Sequence, residues 1–376
     1  MKWLANHKKI MLIITESCNL RCNYCYEKNK NGKSMSFETA KRIIDHAYLD
    51  MSGYESMVIE LHGGEPFINF PLMKKIDDYV IENYNHIPVL FRAITNGTLV
   101  HGEIQDWLKD RVDRYELMLS IDGKQDQNDE NRKLINGEGS FKKIDIEFFK
   151  QTWKHCPVSM TINEKTIAHL AEGTIWLQEQ GFDVCNAFEW ATDWNLEKSI
   201  PLLDRELDKL IEYYSEQPQE RVCLLLRYHL QDFFLPVDGS FRYCLEIDDP
   251  LECYDASGKY APCHGFTEFT MGSEAKAAEY KKMKTSDFVF TEENICYGCK
   301  LIRFCRICFA ANHMLTGNMQ KQSPEICIFN RMCLKAGVQI QMNRSKLLDY
   351  DSAYIMQLNE AAYAIDKYLE EMGDGE

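Results

Sequence analysis

The stretch Ile10-Met-Leu-Ile-Ile-Thr15-Glu-Ser-Cys18-Asn-Leu-Arg-Cys22-Asn-Tyr24-Cys25 decides how this chain is read. Its first six residues form an apolar run ending in threonine, the pattern of a strand. Its last eight residues hold three cysteines, placed directly after that strand. Three thiolates can hold three irons of a cubane and leave the fourth iron open to a chelating ligand. A zinc site usually pairs C-x2-C elements to complete a tetrahedron, and here a fourth ligand is absent nearby. The spacing therefore favours an iron–sulfur cluster over zinc or free thiols.

Outward from this stretch, short apolar runs alternate with longer amphipathic ones. The short runs predict strands at Ile10–Thr15, Met57–Leu61, Val89–Ile94, Tyr115–Ser120, Val158–Ile162 and Asp183–Phe188. Between them the spacing predicts helices. Phe37, Ala40, Ile44, Ala47 and Met51 share one face, with Ser36 as N-cap. In a later helix Leu203, Leu207, Leu210 and Tyr214 do the same. Such repeats imply an α/β fold of parallel strands joined by right-handed crossovers. The pattern alone leaves an open sheet and a barrel as alternatives. It breaks at Ser215–Glu220, and a further helix is predicted at Val222–Phe234. Asp255 to Cys263, with Gly258 at the bend, reads as a tight β-hairpin that delivers a cysteine. From Ser352 to Met372, Ile355, Leu358, Ala362, Ile365 and Leu369 recur at helical spacing, as a packing face does.

A net charge of −15 argues against a partner dominated by nucleic-acid phosphates. No apolar run approaches the roughly 20 residues needed to span a bilayer, and the first residues lack a secretory pattern. A cytoplasmic protein without a membrane partner is expected. In that reducing setting, fifteen cysteines point to ligands rather than disulfides. Eight of them lie between Cys244 and Cys327, spaced Cys244-x8-Cys253-x9-Cys263 and then Cys296-x2-Cys299-x5-Cys305-x2-Cys308, with Cys327 beyond. Cys156, Cys185 and Cys223 fall in predicted strands or helices and read as buried small hydrophobes.

Further motifs fall at the expected strand ends. His62-Gly63-Gly64-Glu65-Pro66 follows the second strand, Thr95-Asn96-Gly97 the third, and Ser120-Ile-Asp122-Gly123 the fourth, with Arg132 soon after. With Tyr24 in the aromatic place of C-x3-C-x-Φ-C, this set resembles the radical S-adenosylmethionine (SAM) superfamily. The resemblance implies a partial (β/α)6 TIM-type barrel. Cys18, Cys22 and Cys25 would hold a [4Fe–4S] cluster, and Gly63, Gly64, Glu65 and Pro66 would hold the SAM amino group. Tyr24 and Asn96 would line the SAM pocket, Ser120 and Asp122 would contact the ribose, and Arg132 the carboxylate. α/β barrels build active sites at this C-terminal face.

The second cysteine region resembles the SPASM extension of these enzymes, which holds two auxiliary [4Fe–4S] clusters. The resemblance implies one cluster on Cys244, Cys253, Cys263 and Cys308, and another on Cys296, Cys299, Cys305 and Cys327. Cys308 comes one residue early for the family pattern. Cys333 is an alternative to Cys327 or a packed thiol, and a zinc ribbon is the alternative for the region. The expected layout is a barrel over 1–220, a bridge over 221–240, an auxiliary-cluster domain over 241–335 and a helical tail over 336–376.

By resemblance, the activity is reductive cleavage of SAM to a 5′-deoxyadenosyl radical, which abstracts hydrogen from a peptide or protein side chain. The expected outcome is a thioether or other crosslink in a ribosomally made peptide with a leader segment. A flavodoxin or ferredoxin would supply electrons. The lack of an extension before the first strand implies that any leader is bound by the barrel, the SPASM region or another protein. The alternative is a sulfatase-maturing enzyme. That group has an acidic base after the hairpin cysteine, where this chain has His264, itself able to take a proton near neutral pH. A non-catalytic metal-binding or electron-transfer protein would leave the Gly63–Pro66 and Ser120–Asp122 placements unexplained.

Overall fold

The structure, a computed structural model, describes residues 6–237, 251–273, 276–277, 279–280, 282–283, 288, 290, 292, 294, 296–348 and 351–372. Cys244 lies outside the described residues. The chain forms two compact units, one of Met1–Met160, Leu177–Phe182 and Leu245–Asp287, the other of Thr161–Trp176, Asp183–Cys244 and Phe288–Glu376.

In the first unit the apolar run before the cysteines becomes β1 (His7–Thr15), buried from Lys8 onward. A strand covered on both faces has no solvent side to polarise, which is why its sequence barely alternates. β2 (Ser56–Gly63), β3 (Val89–Thr95), β4 (Tyr115–Ser120) and the start of β5 (Pro157–Ile162) run parallel beside it in the order β5-β4-β3-β2-β1. One row of the core crosses four strands, with Ile10 opposite Ile59, Ile59 opposite Phe91 and Phe91 opposite Tyr115. All four are essentially inaccessible, and the Phe91 and Tyr115 rings stack at 4.8 Å. Burial of each such side chain contributes about 1.5–3 kcal/mol.

The crossovers are α1 (Phe37–Leu49), α2 (Phe70–Tyr84) and α3 (Glu103–Lys109), with α4 (Gln125–Asn131) and α5 (Ile146–Thr152) between β4 and β5. Ser36 caps α1, its hydroxyl accepting from the Thr39 amide at 3.1 Å. The buried face of α1 is Ala40, Ile43, Ile44, Ala47 and Tyr48, while Met51 lies past its end. Because the strands are parallel, the loops leaving β1 to β4 gather at one edge of the sheet.

The hairpin expected near Gly258 is present as β7 (Leu251–Tyr254) and β8 (Tyr260–Ala261), paired antiparallel. Asp255 accepts from the amides of Ser257 and Lys259, and Gly258 takes a φ of +78°, which suits glycine. Not anticipated was the position of β7. It lies parallel to β1 on the side away from β2, with Met11 opposite Cys253. α8 (Glu268–Met271) follows, capped by Thr267.

After β5 come α6 (Leu170–Glu179), β6 (Asp183–Phe188) and α7 (Leu196–Glu216), completing six strand–helix repeats. The second unit also contains α9 (Phe309–Thr316), α10 (Pro324–Ser345) and α11 (Ser352–Glu371). α7 buries Leu203, Leu207, Leu210 and Tyr214 and packs on α10. Arg344 of α10 donates to the carbonyls of Tyr214, Gln217 and Glu220, satisfying the C-terminal end of α7. α11 buries Leu358, Ala362 and Ile365 as its periodicity predicts.

The helix expected at Val222–Phe234 is instead two 3₁₀ turns, Leu224–Leu226 and Leu230–Phe234. Its backbone groups have tertiary partners in place of a helical ladder. Cys223 donates to the Tyr214 hydroxyl, Leu225 to Asn186 Oδ1, and Arg306 donates to the Leu224 carbonyl. Among the described residues, no helix is long and apolar enough to cross a membrane.

Candidate active site

The loop after β1 is held on two sides. On one side is the turn leaving β2. The Gly64 amide donates to the Thr15 carbonyl at 3.1 Å, and the Glu65 amide donates to the Ser17 carbonyl at 2.9 Å. A Cβ on Gly63 would stand 2.2 Å from the Thr15 oxygen, and one on Gly64 2.4 Å from the Ser17 oxygen. The glycines thus let the cysteine loop itself approach. On the other side is the segment after α4. Arg21 donates to the Lys133 carbonyl and Asn23 to the Asn131 carbonyl, with Leu20 bridged to Leu134.

Glu65 is buried, and three donors meet its carboxylate: the amides of Phe67 and Asn96 and the hydroxyl of Thr95, at 3.2, 2.8 and 2.8 Å. Burial nevertheless wins over these hydrogen bonds and lifts its pKa to about 7. The carboxylate ties the end of β2 to that of β3. Asn96 continues outward, donating to Asn19, which donates to Thr98. Asn19 was not singled out from sequence, and its place one residue after Cys18 is the signal that would have found it.

Beyond β4, Asp122 accepts from Arg132 at 3.0 Å and from the Tyr24 hydroxyl, while the guanidinium lies over the Tyr24 ring. The Asp122 side chain is fully buried and that of Arg132 nearly so. Arg132 Nε is buried, with no hydrogen-bond acceptor among the described residues. Ser120, the last residue of β4, is buried opposite Ser159 of β5.

Residues 12–146 match the family model of the radical SAM superfamily. This chain carries a radical SAM domain. Relatives include an uncharacterized protein of Methanocaldococcus jannaschii, 40% identical over 35% of this chain and 44% of its own length. Another is the radical SAM cyclopropyl synthase TigE of Paramaledivibacter caminithermalis, 19% identical over 89% of this chain and 75% of that protein. The cysteine-type anaerobic sulfatase-maturating enzyme of Clostridium novyi is 25% identical over 69% of each. The match spans less than half of the first of these. The fold is similar to that of native anSMEcpe with bound AdoMet and Cp18Cys peptide. The TM-score is 0.70 at 16% identity, covering 91% of this chain and 100% of that one.

A radical SAM domain implies SAM and a [4Fe–4S] cluster. The donor set fits both. Burial raises the thiol of Cys18, and it raises that of Cys22 to about 11 against the pull of Arg132. These two thiols would therefore be protonated at neutral pH unless a metal displaces the proton. The three thiols lie close enough to act on one another. Yet among the described residues no three His, Cys, Asp or Glu converge as a single ion requires. The unmet donor of Arg132 suits a carboxylate.

Within the same unit the hairpin brings a second pair of cysteines. Cys253 is buried in β7, and Cys263 packs against the same small core of Met11, Ile13 and Phe269. His264, which follows, places its ring 5.0 Å from that of His62 and 5.7 Å from that of Tyr26. Glu27 lies 3.8 Å from His62 Nε2 and accepts from Thr270, which also donates to the His264 carbonyl. The segment after Cys25 is thereby fastened to the segment after Cys263. Glu27 went unnoticed in the sequence because a single acid two residues past a cysteine has no distinguishing pattern.

In the second unit Cys296, Cys299, Cys305 and Cys327 gather so that Cys327 raises the pKa of each of the other three, secondary to burial. Tyr368 of α11 and Cys299 pack against the same apolar cluster. Cys333 stands apart from this group. It is fully buried, with the Cys223 thiol and the Arg306 guanidinium as neighbours. Cys308 caps α9. None of the described cysteines forms a disulfide. Cys156 and Cys223 are buried as expected, but Cys185 is only half-buried, because it lies on the less covered side of β6.

Proposed function

We propose that this chain is a radical SAM enzyme acting on a peptide or protein. Cys18, Cys22 and Cys25 would hold the SAM-binding [4Fe–4S] cluster. Two auxiliary clusters would be held by Cys253, Cys263 and Cys308 with Cys244, and by Cys296, Cys299, Cys305 and Cys327. The observation that carries this reading is the double clamp on the cysteine loop. It holds the loop carrying Cys18 and Cys22 between the Gly63–Pro66 turn and the Arg132 segment. Bound there, the cluster and SAM supply a 5′-deoxyadenosyl radical able to take an unactivated hydrogen atom.

The protein's part is placement. Arg132 Nε is available to the SAM carboxylate, and the free acceptor capacity of Glu65 to its amino group. Ser120 and Asp122 would contact the ribose hydroxyls, and Tyr24 and Asn96 would line the pocket. A peptide or protein substrate is supported by a relative named for maturing a sulfatase and by fold neighbours seen with peptides, anSMEcpe with the Cp18Cys peptide and SuiB of Streptococcus suis with its precursor peptide SuiA. The reaction we favour is a thioether or other crosslink in a ribosomally made peptide, with a flavodoxin or ferredoxin as electron donor.

Anaerobic reconstitution should give about twelve irons per chain. Dithionite with SAM should then release 5′-deoxyadenosine. Cys22→Ala should abolish that release, and its survival would refute the site. A second reading, maturation of a sulfatase, is favoured by the Clostridium novyi relative, although His264 stands where that group has an acidic base. Incubation with a cysteine-containing sulfatase peptide separates the two: a loss of mass with an aldehyde-reactive product supports maturation, and an unchanged peptide opposes it.

A further inference from the structure

Trp190 follows β6 in the second unit, and its indole N–H donates to the sulfur of Cys308 at 2.9 Å. The same sulfur accepts from the Ala311 amide at 3.4 Å, at the start of α9. That helix end adds a partial positive charge near the sulfur. The Trp190 backbone is held on both sides. Glu189 donates to the Ile162 carbonyl at 2.6 Å. Ala191 takes a φ of +52°, an unfavourable conformation for a residue with a Cβ. Phe188 and Trp194 pack on the Phe329 ring at 4.9 and 5.0 Å.

We infer that Trp190 is a positioning residue whose N–H bond to Cys308 raises the reduction potential of the auxiliary cluster assigned to that cysteine. The inference rests on the proposed reading of Cys308 as a cluster ligand. A donor aimed at a thiolate draws charge from the sulfur and favours the form of the cluster carrying one more electron. Packing alone would orient the ring without needing a nitrogen at the sulfur. Arg306, in the same Cys305–Cys308 turn, directs its guanidinium to the carbonyls of Asn186 and Leu224. It anchors the turn.

The test uses the full chain with Cys18, Cys22 and Cys25 all replaced by Ala, so that only auxiliary clusters report. It is reconstituted anaerobically and titrated with dithionite, followed by electron paramagnetic resonance. Trp190→Phe should keep about eight irons per chain and shift one midpoint to lower potential. A lost hydrogen bond to a charged acceptor corresponds to about a tenfold smaller reduction constant, or about 59 mV for one electron. Trp190→His, which keeps a ring N–H, should recover part of the shift.

An unmoved midpoint at full iron content overturns the inference. If the Phe variant loses iron, 3-benzothienylalanine at position 190 keeps the ring shape without the N–H. A lowered midpoint in that protein supports the inference, while an unchanged midpoint or lost iron overturns it. Failure of the triple variant itself to bind about eight irons would instead count against the auxiliary-cluster reading.

Discussion

A methyl group on Gly64 would stand 2.4 Å from the carbonyl oxygen of Ser17 and 3.0 Å from the Cβ of Cys18. The obstacle is backbone, which cannot swing aside as a flexible side chain would. Gly64→Ala should therefore push the cysteine loop off β2, destabilising the protein by about 1–3 kcal/mol. It should also reduce iron at the first site. Urea unfolding of the metal-free protein and iron counts on the reconstituted one would show both effects. Normal values for both would mean that the loop adapts.

Glu65 gives a pH signature. Its pKa rises from 4.5 to about 7 on folding, because burial disfavours the charged form. Between those values the folded state holds a proton that the unfolded state has released, so stability falls as pH rises from about 4.5 to 7. Below that window the contribution is fully present, and above it fully lost. Glu65→Gln removes the titration. The stability of the native protein relative to the variant should decline across this window in denaturant unfolding, and a difference that stays flat would contradict the buried-acid description.

The pair Arg132–Asp122 should behave as a coupled unit. Arg132→Met leaves Asp122 buried with one partner fewer, a change expected to cost about 3–5 kcal/mol. Combining it with Asp122→Asn should cost less than the sum of the single changes, with a coupling above about 1 kcal/mol. Additivity in a double-mutant cycle would mean that the two side chains do not depend on each other.

Cys327 and Cys333 lie on the same helix, yet their surroundings predict opposite behaviour. Cys327→Ala should remove about four irons with little loss of stability in the metal-free chain. Cys333→Ala should keep the iron and lose about 1 kcal/mol of packing. Reversal of the two iron counts would exchange their roles.

The strands and the cysteine triad were legible because both are local. A buried apolar run and an eight-residue spacing need no knowledge of distant partners, and β1 to β6 fall where the runs predicted. The partners of Val222–Phe234 were hidden, since Tyr214, Asn186 and Arg306 claim its backbone from elsewhere in the sequence. Trp190 was hidden too, as its link to Cys308 joins residues 118 apart. The Gly63–Gly64 pair stood out in the sequence, whereas the cysteine loop that lies against it, at Thr15 and Ser17, comes from far earlier in the chain.

The seating of β7 against β1 also governs the order of assembly. The strand feeding the first three cysteines keeps one row of amide and carbonyl groups open until a segment roughly 240 residues later has been synthesised. A nascent chain therefore carries a sticky, unprotected border through most of its translation. Fragments ending before Leu251 would retain that border permanently and should self-associate through it, even with every upstream motif intact.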